Sequence, residues 1–114
     1  MPHSTTRALD TASGKPAAGL RVVLQRADAP AVLAEAMTNA DGRLDKPLLE
    51  GDAFKVGIYE IAFHAGDYFR AQGAALVDPA FLDVVPVRFA AVAGRDYHLP
   101  FLVAPYGYST SRGS

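Results

Sequence analysis

The feature that most constrains this chain is a period-two alternation of residues, which returns wherever the sequence is apolar and is cut repeatedly by glycine, proline and aspartate. Leu20, Val22 and Leu24 interleave with Arg21, Val23 and Gln25, and Tyr59, Ile61 and Phe63 interleave with Glu60, Ala62 and His64. Successive side chains of an extended strand point to opposite faces, so each run has one face fit for a core. The β-branched and aromatic residues concentrate in these runs, which favours strand over helix. Turn-forming groups fall between them, among them Ser13-Gly14-Lys15-Pro16, Asn39-Ala40-Asp41-Gly42, Glu50-Gly51-Asp52, Ala93-Gly94-Arg95-Asp96 and Ala104-Pro105-Tyr106-Gly107. The cuts predict strands at 4–10, 20–26, 32–38, 43–48, 56–64, 84–92, 97–104 and 107–112. Many short strands at such spacing predict an all-β sandwich.

Three segments test that pattern. Asp67-Tyr68-Phe69-Arg70-Ala71-Gln72-Gly73 lacks β-branching and ends in glycine, which predicts one short surface helix. Ala31–Met37 is rich in helix-favouring residues, yet it is read as strand. Pro100 sits awkwardly in an otherwise strand-like run, because proline removes a ladder donor and is usually confined to edges or bulges.

A chain of 114 residues predicts a single domain over 1–114, long enough to bury one core without metal or disulfide support. With 50% hydrophobic and 20% charged residues and a net charge of −1, neither disorder nor nucleic-acid binding is indicated. The absence of cysteine removes disulfides, thiolate nucleophiles and sulfur-ligated zinc. No metal-ligand spacing, phosphate loop or nucleophile elbow is evident, so no metal or cofactor is expected. The sequence shows neither a signal pattern nor an apolar run near the ~20 residues of a membrane span, which makes the cytoplasm the default compartment. Asp10, Asp41, Asp45 and Asp52 sit beside turns, where aspartate commonly bonds the backbone, and none is assigned a catalytic role.

Candidate site residues follow from the alternation. His98 lies on the opposite strand face from Tyr97, Leu99 and Phe101, which suit a core. An imidazole titrating near ~6.5 is a natural general base if it faces a site; otherwise His98 is a structural histidine at an interface. Arg43 follows the Asn39–Gly42 turn directly and is either a solvated strand-start residue or an anion-recognising guanidinium held by that turn. Arg7 shares its face with Thr5 and Leu9 and is either simply exposed or turned toward the same site. His64 reads as a strand-end residue and His3 as a flexible terminal one.

The segment Tyr97-His98-Leu99-Pro100-Phe101-Leu102-Val103-Ala104-Pro105 and the run Tyr106-Gly107-Tyr108-Ser109-Thr110-Ser111-Arg112-Gly113-Ser114 resemble the C-terminal signature of the 5-hydroxyisourate hydrolases, transthyretin-related proteins of urate degradation. The resemblance extends to Thr6–Ala17, Thr38–Arg43, Gly66–Phe69 and Pro86–Phe89. It implies a transthyretin-like sandwich of two four-stranded sheets with one short helix. It also implies a homotetramer, a dimer of dimers, with sites lining a central channel. The implied activity is hydrolysis of a purine-derived small molecule, 5-hydroxyisourate, by water attack on a ring carbonyl without metal or cofactor. By position, the family's catalytic residues fall on Arg7, Arg43, His98 and Ser114, and its substrate contacts on Arg7, Arg43, Tyr108 and Ser111. Two positions depart from the pattern: Arg7 replaces a histidine and Ser111 a tyrosine. A guanidinium holds charge but cannot shuttle a proton at neutral pH, and serine removes a stacking ring. Lowered turnover is the expectation, with a non-catalytic tetrameric binding protein as the alternative and an accessory β-sandwich as a third reading.

Overall fold

Alternation sorts the side chains as expected: Leu20, Val22, Leu24, Ile61 and Phe63 are fully buried and Tyr59 nearly so. The fold is described by a computed structural model for residues 2–113. Its elements are β1 (His3–Asp10), β2 (Lys15–Pro16), β3 (Arg21–Arg26), β4 (Val32–Met37), β5 (Leu49–Glu50), β6 (Gly57–Phe63), α1 (Ala65–Ala71), β7 (Val85–Ala91), β8 (Tyr97–Ala104) and β9 (Gly107–Thr110). One sheet has the order β4-β3-β6-β7; the other runs β2-β1-β8-β9, with β5 also paired to β1. The second sheet therefore has five strands where four were expected, because the two-residue strands β2 and β5 both lie against β1. β1 and β8 run parallel, which sets Thr5 beside His98 and Arg7 beside Pro100.

The two sheets meet through apolar side chains. Phe63 of β6 and Phe101 of β8 stack with ring centroids 3.8 Å apart and planes 6° from parallel, and both rings are fully buried. The inward face of β1 is unusually polar, carrying Ser4, Thr6 and Asp10. Thr6 Oγ1 donates to the Leu99 carbonyl at 2.6 Å. One oxygen of Asp10 accepts the backbone N–H groups of Ala12 and Ser13, and the other accepts the Tyr68 hydroxyl at 2.9 Å. These bonds satisfy Thr6 and Asp10 and tie α1 to the far sheet, whereas the buried Ser4 Oγ has no hydrogen-bond partner among the described residues. Burial first, then the hydrogen bond and charge of Asp10, push the Tyr68 phenol up to about 12. Asp10 is thus structural, as its place beside a turn implied.

Three expectations need correction. The predicted strand 43–48 does not form; only Arg43 bridges β1, opposite Arg7, before pairing resumes at β5. Pro47 cannot donate to a ladder, and Asn39 Nδ2 donates to Asp45 Oδ1 at 3.0 Å, bending the segment back toward the preceding turn. The helix begins at Ala65, earlier than expected, and it is not wholly superficial: Ala65, Gly66, Tyr68 and Phe69 are buried. His3 is not a loose terminal residue but the first residue of β1, in register with Glu50. Val32–Met37, by contrast, does pair as strand despite its helix-favouring residues, because β3 offers it a ladder.

Candidate active site

On β8, Tyr97, Leu99 and Phe101 turn inward, which leaves His98 on the outer face of the sheet. Its ring is held on two sides. Thr5 Oγ1 lies 2.8 Å from His98 Nδ1 across the parallel register. Gly113 N donates to the His98 carbonyl at 2.6 Å, and a Cβ at position 113 would stand 2.9 Å from His98 Cδ2 and 3.2 Å from Pro100 Cδ. Only glycine allows the tail to lie this close to the imidazole.

Pro100 shapes that tail. It has no N–H to give, and the ladder between β8 and β9 stops at Thr110, re-forming only where Gly113 meets His98. Thr110 Oγ1 donates to the Pro100 carbonyl at 2.7 Å across the gap.

Arg43 is delivered by the turn before it. Asn39 Oδ1 accepts the N–H groups of Asp41 and Arg43, and Asn39 N donates to the Arg43 carbonyl at 2.7 Å. Gly42 has φ +74°, and a Cβ there would collide with the Ala8 carbonyl; its own carbonyl accepts the Ala8 N–H at 2.8 Å. The turn is thereby clipped to β1, and Arg43 comes to lie opposite Arg7.

These residues surround a cavity of about 380 Å³ lined by His3, Thr5, Arg43, Asp96, His98 and Gly113. Partial burial, then the charges of Arg43 and Arg7, lower the proton affinity of His98 below that of an ordinary histidine. The site therefore sets an imidazole of weakened proton affinity beside the Arg43 guanidinium, with the permanent charge of Arg7 near by; such cations can hold an anion or a developing oxyanion. A larger depression of about 640 Å³, bordered by Glu50, Asp52 and Lys55, has neither histidine nor arginine in its wall. Among the described residues no group of three or more histidine or acidic side chains is placed to bind a metal ion.

Not every expected site residue gathers here. Ser114 lies outside the described residues, although its neighbour Gly113 lines the cavity. Tyr108 sits opposite Val103 with its ring 5.8 Å from that of Phe101. Val103 is five residues along β8 from His98, roughly 16 Å at strand rise, so Tyr108 does not reach this cavity within one chain. Ser111 lines a different cavity, of about 200 Å³, with Val87, Phe89, Tyr97 and Leu99. A contiguous signature read as one site is spread by the β8–β9 hairpin along the length of a sheet. Thr5, Gly113, His3 and Asp96 were missed. The two-residue spacing of His3, Thr5 and Arg7 was the available signal for the first and third of these.

Fold and site together define a class: a β-sandwich whose outer sheet face carries a histidine beside fixed cations. The model of the HIUase/Transthyretin family matches residues 4–113, and the chain belongs to that family. It is 56% identical to 5-hydroxyisourate hydrolase 2 of Rhizobium meliloti (strain 1021), over 96% of this chain and 94% of that one. It is 46% identical to the 5-hydroxyisourate hydrolase of Pseudomonas aeruginosa, over 100% of this chain and 93% of that one. Among solved structures, (S)-allantoin synthase superposes with a TM-score of 0.92 at 40% identity, covering 99% of this chain and 44% of that one. Transthyretin from Sparus aurata superposes with a TM-score of 0.86 at 26% identity, covering 99% and 97%.

Proposed function

We propose that the protein hydrolyses 5-hydroxyisourate to 2-oxo-4-hydroxy-4-carboxy-5-ureidoimidazoline, a step of urate degradation. The observation that carries this reading is His98 beside Arg43 in the wall of the cavity of about 380 Å³, with the charge of Arg7 close enough to weaken its hold on a proton. His98 takes a proton from water as its oxygen attacks the ring carbonyl. Arg43 and Arg7 hold the anionic ring and the charge that develops on the carbonyl oxygen. Ser114 is assigned to orienting the water. The high identity to 5-hydroxyisourate hydrolases over nearly the whole chain supports the same reaction. A homotetramer fits the family, and its assembly is the natural way for Tyr108 and Ser111 to approach a site from a second copy. A cytoplasmic location is proposed with it.

The test is the ultraviolet decay of freshly generated 5-hydroxyisourate with and without the protein. The expected result is acceleration well above buffer. A native rate equal to buffer that Arg7→His restores would overturn the reading and favour a ligand-binding role. That second reading draws on Arg7 and on the likeness to transthyretin. It predicts saturable binding of an anionic ring without conversion, abolished by Arg43→Ala.

Gly113→Ala offers an independent check of the site geometry. The added methyl meets His98 Cδ2 and Pro100 Cδ, so the imidazole must move. Displacement on the order of 1 Å costs ~10²-fold in turnover, and kcat is expected to fall by that order while the denaturation midpoint stays nearly constant. Unchanged kcat would show that the tail does not position the base.

A further inference from the structure

His3 and Asp96 are the two cavity residues without a role in the reaction as described. His3 shares the outer face of β1 with Thr5, beside His98, and with Arg7, opposite Arg43. Its Nδ1 lies 3.3 Å from Asp96 Oδ1. Asp96 immediately precedes β8, so both residues are placed by the same parallel pair of strands that places Thr5 against His98. Both are partly solvent-exposed, and an exposed ion pair adds little stability, so the arrangement is better explained by chemistry than by folding.

The geometry points to His3, paired with Asp96, as a second proton-transfer group of the site, supplying the imidazole that position 7 lacks. This rests on the hydrolase reading. An imidazole close to a carboxylate in the wall of a site is a group able to pass a proton to a bound substrate, and the carboxylate helps to hold the ring in place. Among the described residues, Asp96 is also the one acidic side chain in the wall of a cavity that holds Arg43, with Arg7 close by.

The step balances as follows. Water adds to the ring carbonyl carbon and gives a proton to His98. The carbon–nitrogen bond of the ring then breaks, and the protonated His3 gives its proton to the leaving nitrogen. The new carboxyl group ionises, His98 returns its proton to solvent, and His3 regains one from it. Arg7 cannot perform this transfer because it does not release its proton near neutrality.

The experiment compares His3→Gln in the native chain and in an Arg7→His background, measuring kcat and KM for 5-hydroxyisourate. In the native chain kcat is expected to fall ~10²-fold with KM changed little. In the Arg7→His background, where position 7 regains an imidazole, the same substitution is expected to cost less than about threefold. Asp96→Asn, which keeps the shape and removes the charge, is expected to give an intermediate loss in the native chain alone. Unchanged kcat in native His3→Gln overturns the proposal, and so does an equal loss in both backgrounds, which would mark a structural role. A native protein inactive from the outset instead sinks the hydrolase reading itself, and this proposal with it.

Discussion

His98→Gln is expected to lower kcat for 5-hydroxyisourate by ~10²–10⁴-fold, the range associated with loss of a general base. Glutamine keeps a polar side chain next to Thr5 and adds no bulk against Gly113, so the fold and the anion-holding pair remain. KM should therefore change far less than kcat, because ground-state binding is assigned to the guanidinium groups. The pH profile provides a second reading of the same residue. A base must be neutral to act, and His98 binds its proton more weakly than an ordinary histidine because of burial and of Arg43 and Arg7. The acid limb of the native profile should lie below the usual histidine range. Removing a neighbouring charge with Arg43→Gln should move that limb upward, toward the unperturbed value. Rapid-mixing decay measurements from mildly acidic to neutral pH distinguish these outcomes. A His98→Gln protein with native kcat, or an acid limb that ignores Arg43, would be incompatible with His98 as the base.

Phe101→Ala is expected to destabilise the fold by about 3–5 kcal/mol, as for other buried aromatic truncations. Phe101 is fully buried, stacks on Phe63 of the opposite sheet at 3.8 Å and touches Tyr108 of β9. Its loss opens a void between the sheets that neighbouring strands, fixed by their ladders, cannot close. For a domain whose whole stability is on the order of 5–15 kcal/mol, this is a large fraction. Denaturant titration with a Phe101→Leu control measures it, and leucine should recover much of the loss. A change under about 1 kcal/mol would mean that the sheets are held mainly elsewhere.

How far the sequence could be read depended on whether a feature was local. The long strands were legible because a two-residue period and turn chemistry are local properties, and β8 was placed at 97–104 with the bounds it has. The segment after Arg43 was misread because its apolar residues alternate, while Pro47 and the Asn39–Asp45 bond decide its path. His98, Arg43 and Arg7 were found as members of faces or turns, and the structure brings them together. His3 and Asp96 are 93 positions apart, and their meeting is a product of parallel pairing that no local pattern encodes. Tyr108 and Ser111 were assigned by their place in a contiguous signature, whereas a hairpin separates its members in space.

The alternation along β1 and β8 also bears on how such a chain changes over time. Outward residues His3, Thr5, Arg7 and His98 belong to the proposed site, while the intervening Ser4, Thr6, Ala8, Tyr97 and Leu99 are buried in the sandwich. Sequence neighbours on these strands thus answer to separate selective pressures. A histidine can give way to arginine on the wet face without disturbing the interior, so catalytic experiment is tolerated where architectural experiment is not. A scaffold wired in this way can drift between turnover and simple ligand carriage by single exchanges, with its folding left intact.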